Sequence, residues 1–187
     1  MSEQEKAKIR RGLRDVYIDR TLSSFIDGKK GHLLYRGFNI DDLARNSCFE
    51  ETAYLLLHGD LPDAKQLSDF DYLLKSTRSI PTEILDVLNI VKKSHSMDAL
   101  RTAISATSIL EDDVEDISLE STLMKGIKLT AMAPTIVAAH YRLSIHENPI
   151  EPRDDLGHAA NFLYMLSGET PDPEDAALID KDFVLHA

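Results

Sequence analysis

Seven histidines, one cysteine and a surplus of carboxylates are the groups in this 187-residue sequence that could carry polar chemistry. A zinc site needs three or four His, Cys or carboxylate ligands at ligand spacing. Cys48 stands alone, and His140 and His146 are six residues apart, a spacing that turns them onto different helix faces. No metal site is expected. The sequence has no G-x-G-x-x-G, Walker or G-x-S-x-G pattern, so neither a phosphate-cradling loop nor a nucleophile elbow is expected. Cys48 falls at a helix start, where a thiolate is favoured, but reads better as a structural residue than as a nucleophile. The acidic run Glu111 to Asp116 lacks the turn glycine of a calcium loop and reads as a solvated connector. His32, His58 and His95 fall at turns or helix ends and read as surface residues. His158 differs. It follows Arg153-Asp154-Asp155 and sits in the first turn of an apolar helix. Free amides and positive potential at such an end suit a carboxylate, so His158 is the candidate substrate contact. The competing reading is a packed or capping histidine.

These residues must be positioned by helices. Residues 1–12 read as a flexible N-terminus, 13–37 as a β-hairpin region and 38–187 as a helical domain. Three β-prone runs, Val16-Tyr17-Ile18, Ser24-Phe25-Ile26 and Leu33-Leu34-Tyr35, surround an Asp27-Gly28 turn signal. Asn39 caps a short helix through Asn46. Ser47 and Glu50 spell a capping box, and Gly59 stops the helix that follows. Asp63 with Gln66 repeats the box, and Pro81 suits a first turn. Ser96 caps a helix to about Leu110, with small residues Ala99, Ala103 and Ala106 on one stripe. Ser118 opens a long pattern to about His146, apolar on most sides and interrupted by Pro134. Asp155 caps a helix ending near Gly168, and Asp172 caps the last one. About eight helices without β-α-β alternation give an all-α fold class with a small N-terminal β-hairpin.

Composition narrows the function classes. Lys plus Arg is 21 and Asp plus Glu is 32, a net charge of −11. That disfavours binding to nucleic acid, which needs a basic face. No apolar run reaches membrane-spanning length. One cysteine forbids an internal disulfide, and the polar start lacks a secretory or transit signal. A cytoplasmic setting is expected.

Four ordered strings carry a specific likeness. Phe25-Ile26-Asp27-Gly28, continuing through Gly31, Leu33 and Tyr35-Arg36-Gly37 to Ile40, closely resembles the N-terminal region of the citrate synthase and 2-methylcitrate synthase family. Phe49 to Pro62 is similar to that family's next helix, and His95-Ser96-Met97-Asp98-Ala99-Leu100-Arg101 resembles its H-P-M-D-x-L-R segment. His158 to Leu166 resembles its N-F-L-x-M-L helix. The resemblance implies a large and a small helical domain in homodimers, here with only part of the large domain. Helices 97–110 and 118–146 would make the dimer contact. It also implies condensation of acetyl-CoA or propionyl-CoA with oxaloacetate, with no cofactor. A carboxylate base, two histidines and substrate-binding arginines would act in a closed, dry cleft.

The family continues beyond a segment like Leu185-His186-Ala187 with D-H-E-x-N-A-S-T, which holds a catalytic histidine. The second histidine, the base and the arginines lie further on. No catalytic residue is therefore assigned here, and His186 matches the position beside the motif. His158 lies near the oxaloacetate pocket implied by the likeness. Three readings result: an inactive N-terminal portion of a citrate-synthase-type enzyme, a truncated helical dimerisation or regulatory module, or a helical protein with an anion pocket at His158.

Overall fold

The computed structural model describes residues 12, 16 and 19–187. The expected loose N-terminus lies outside these residues except for Gly12, and the Val16-Tyr17-Ile18 run except for Val16. Among the described residues three antiparallel strands precede eight α-helices, so the expected all-α class with a small sheet is what forms. The strands are β1 (Ser24–Asp27), β2 (His32–Tyr35) and β3 (Phe38–Asn39). The helices are α1 (Ile40–Asn46), α2 (Phe49–His58), α3 (Ala64–Thr77), α4 (Thr82–Ile90), α5 (Ser96–Ala106), α6 (Leu119–Ser144), α7 (His158–Ser167) and α8 (Pro173–His186).

Local chemistry closes several of these ends as the sequence indicates. Asn39 accepts the Asp41 amide at 2.9 Å to start α1. Gly59 ends α2 and Gly168 ends α7 in the left-handed region, at φ 101° and 85°, which a side chain would resist. Asp63 and Gln66 form a reciprocal capping box, each bond 2.8 Å. Asp63→Ala should therefore cost about 1 kcal/mol, read by urea denaturation. A loss indistinguishable from zero would show that α3 does not depend on its cap.

Three expected caps are replaced. Ser47 and Glu50 do not box α2: Cys48 occupies the cap position without a side-chain bond, and the Ser47 hydroxyl donates to Glu51 at 2.7 Å. The α2 amide of Phe49 goes to Asp180 of α8 at 3.0 Å instead. Ser96 is already helical, and His95 caps α5 by accepting the Met97 amide on Nδ1 at 3.2 Å. Asp155 does not cap α7, because it pairs with Arg153, 3.0 Å from Nε. Pro81 sits one residue before α4 rather than in its first turn.

α6 is the central element. It packs against α3, α4, α5 and α7 and carries Pro134 within its span. On one side Ile80, Ile84 and Leu88 pack with Ala103, Met132 and Ile136. On another, Ala53, Phe70 and Leu74 pack with Ile127 and Ala131. A third cluster joins the sheet to α8 through Tyr35, Leu43, Leu55 and Val184. Ala99 and Ala103 are fully buried within the chain, so the small-residue stripe of α5 is spent on neighbouring helices. The acidic run is a connector held by α6. Lys125 Nζ donates to the carbonyls of Asp113, Val114 and Asp116, and Lys128 pairs with Glu111.

Candidate functional site

His158, the first residue of α7, is buried at 5% exposure. Its ring stacks on Phe49 of α2 at 4.6 Å and meets the edge of Phe183 of α8 at 5.9 Å. Phe162 of α7 adds a fourth ring, 5.6 Å from Phe183. This aromatic cluster ties the starts of α2 and α7 to α8.

The helix end beside His158 is already occupied. Glu50 Oε1 accepts the His158 amide at 2.8 Å, so the carboxylate that uses the positive end of α7 comes from the protein itself. Burial pushes the His158 imidazole down to about 4, with Arg78 acting in the same direction and Glu50 and Asp71 opposing. Near pH 7 the ring is neutral. It can donate or accept a hydrogen bond but offers no charge to a carboxylate.

Two carboxylates thus cap helices in trans. Asp180 of α8 closes α2 and Glu50 of α2 closes α7. Burial raises the Asp180 carboxyl above its ordinary range, partly offset by the Phe49 amide it accepts. Arg78, at 2% exposure, completes the frame. Its Nη2 donates to the carbonyls of Arg153 and Leu156 in the segment that leads into α7. Its own carbonyl accepts from Thr135 of α6 at 2.7 Å.

An apolar groove of about 540 Å³ opens over the aromatic cluster, between α2, α6, α7 and α8. His158 lines it from within, and His186 and Ala187 stand at its rim. The exposed His186 ring turns back to Asp182, with Nδ1 2.8 Å from the Asp182 carbonyl. Among the described residues no lysine or arginine lines this groove. A second cavity, about 430 Å³, lies between α5, α6 and α7, where His140 is buried with Nε2 unpartnered.

The remaining candidates stay apart. His32, His58 and His95 are exposed, as expected. His58 stacks on Tyr54 at 4.1 Å. His140 lies inside α6 and His146 follows its end at φ 67°. Among the described residues no three His, Cys, Asp or Glu side chains gather as metal ligands. The Cys48 thiol is pushed up to about 12, chiefly by burial, so the helix start does not activate it. Sequence reasoning missed Glu50, Asp180 and Arg78 as the groups that frame His158. Glu50 gave a local signal that pointed to the wrong helix, and the other two gave none.

The comparisons agree with the fold. Residues 12–187 match the family model described as citrate synthase, C-terminal domain. The chain is 41% identical to the citrate synthase of Haloferax volcanii, covering 96% of this chain and 49% of that one. It is 40% identical to that of Deinococcus radiodurans, covering 97% and 48%. The crystal structure of citrate synthase from Pyrobaculum aerophilum superposes with a TM-score of 0.89 at 42% identity, covering 96% of this chain and 47% of that chain. The chain spans about half the length of the curated relatives it matches. No described helix is long and apolar enough to cross a membrane.

Proposed function

The chain belongs to the citrate synthase family, and from that premise we propose that it supplies the N-terminal portion of a citrate-synthase-type acyltransferase and is inactive by itself. The reaction would be a Claisen-type condensation of acetyl-CoA or propionyl-CoA with oxaloacetate. That chemistry handles carboxylates and phosphates and develops negative charge on an enolate. It therefore demands fixed cations and hydrogen-bond donors at the reacting atoms. The observation that carries the proposal is the family match over residues 12–187, which spans about half the length of each relative; among the described residues no lysine or arginine lines the groove. The cations, the base and the catalytic histidines would come from the remaining half of the fold. His158 would act as a neutral contact, donating or accepting one hydrogen bond at the edge of the substrate region.

A thiol reagent that reports free CoA tests this directly. This chain mixed with oxaloacetate and acetyl-CoA, or with propionyl-CoA, is expected to release CoA no faster than a blank. Turnover by the chain alone would overturn the proposed inactivity.

A further inference from the structure

The cavity between α5, α6 and α7 differs in build from the groove over the aromatic cluster, with which it shares only Val137 among the described lining residues. Leu100 of α5, Ile136 and Val137 of α6 and Leu166 of α7 give it apolar walls. Three helix ends meet there. Ser96 opens α5, Ser144 closes α6 and Ser167 closes α7. The positive end of α5 is thus opposed by the negative ends of α6 and α7, and an anion gains no net attraction. Among the described residues no Asp, Glu, Lys or Arg lines the cavity. A charged guest would lose its hydration there without meeting a counter-charge.

One polar group of the lining is unspent. His140 is buried at 5% exposure, and its Nε2 has no hydrogen-bond partner among the described residues. Two serine hydroxyls of the same lining are already committed as donors. Ser144 donates to the Tyr141 carbonyl at 2.6 Å and Ser167 to the Leu163 carbonyl at 3.1 Å. Buried polar groups are nearly always paired, so an orphan in the wall of a cavity of about 430 Å³ signals a missing partner. Ligand sites have this make-up: mostly apolar walls, a volume of about 300–1,000 Å³ and a few polar groups that fix orientation.

We propose that this cavity is a binding site for a small uncharged alcohol or phenol, whose apolar body lies against Leu100, Ile136, Val137 and Leu166 and whose hydroxyl pairs with His140. A hydroxyl both donates and accepts, so it serves Nε2 in either tautomer of the ring. The lack of counter-charges that favours a neutral guest also disfavours oxaloacetate and acyl-CoA. The site therefore takes a further molecule, and it stands or falls independently of the condensation proposed above.

Three probes of similar body separate these features: p-cresol carries a hydroxyl, toluene none and p-toluate a carboxylate. Each is titrated into the intact chain carrying isotope-labelled histidine. The His140 ring signal, assigned through the backbone of α6, reports occupancy by NMR. Saturable binding of p-cresol is expected, with toluene and p-toluate about tenfold weaker or silent. His140→Leu keeps the bulk and removes the nitrogen, so the preference for p-cresol over toluene should vanish in it. The wild-type comparison needs no variant to fold, and His140→Leu is used only if its melt stays cooperative. No response to p-cresol up to its solubility overturns the proposal. Toluene binding as tightly as p-cresol does so too, because the orphan nitrogen would then take no part. Tighter binding of p-toluate would make the cavity an anion site and defeat the assigned class. A His140 signal that moves with the chain's own concentration and resists p-cresol would make a second copy the occupant, which also defeats it.

Discussion

Arg78→Ala is expected to lower the stability of the fold by about 3 kcal/mol, which in a domain of this size is a drop of roughly 6–12 °C in Tm. The guanidinium is almost wholly buried and its Nη2 serves two backbone carbonyls, those of Arg153 and Leu156. Both would lose this donor, and a buried unsatisfied acceptor costs about 1–3 kcal/mol. Loss of the long side chain adds a cavity. Burial pulls the Arg78 pKa down, while Asp154, Asp71, Glu50 and Asp155 oppose that shift, so the cation also offsets local negative charge. Arg78→Met keeps most of the volume and removes the donors, so it should recover only the cavity part. Arg78→Lys should also fall short, because one ammonium cannot reproduce the planar fork. Urea denaturation of the three variants checks the assignment. A loss below about 1 kcal/mol in Arg78→Ala would show that the segment leading into α7 is held by something else.

Acidification is expected to remove about 3 kcal/mol between pH 6.5 and pH 4 through His158 alone. The folded-state value of about 4 lies below the unfolded value of 6.5. The folded state therefore prefers the neutral ring. The contribution is complete above pH 6.5 and is lost as pH falls toward 4. His58, also lowered by burial, acts with the same sign. Asp180 acts the other way. Its raised pKa favours the folded state as it takes up a proton, and that contribution fades as pH rises through its folded value. The decisive comparison is a slope, not an absolute stability. His158→Phe keeps a ring on Phe49 but cannot titrate, so its stability should change with pH by about 3 kcal/mol less over the same window. Equal slopes for the two proteins would refute the assignment to His158.

Where a helix end is closed by its own neighbours, the sequence is enough to read it. Asn39, Asp63 and Asp172 each bond an amide two or three residues ahead, and Gly59 and Gly168 take a backbone conformation that few other residues adopt. The long apolar pattern after Ser118 likewise becomes α6, buried across four helical neighbours. Ser47, Glu50 and Asp155 have cap-like spacing but bond elsewhere: Ser47 and Asp155 to neighbouring side chains, and Glu50 to a tertiary partner. Glu50 reaches a helix end 108 residues away, and Asp155 is held by Arg153. The candidate at His158 was legible as a histidine at a helix start. Its neutral, stacked state was not, since that depends on Phe49, Phe183 and Arg78 arriving from three other parts of the chain. β3 contains only two residues, too few to leave a periodic pattern.

The trans caps also set an order of events for the growing chain. Tyr35 donates to the Leu185 carbonyl across 150 residues, Asp180 closes α2 across 131 and Glu50 closes α7 across 108. The hairpin and α2 emerge from the ribosome long before the groups that finish them. Until α8 is made, the Phe49 amide lacks its carboxylate and Phe49 lacks one of its aromatic neighbours. Contacts that span so much sequence must overcome loop-closure entropy before they contribute, and they slow folding relative to a bundle closed by adjacent helices. The early helices should therefore consolidate late, after synthesis of α8, with their ends open to solvent exchange in the interval.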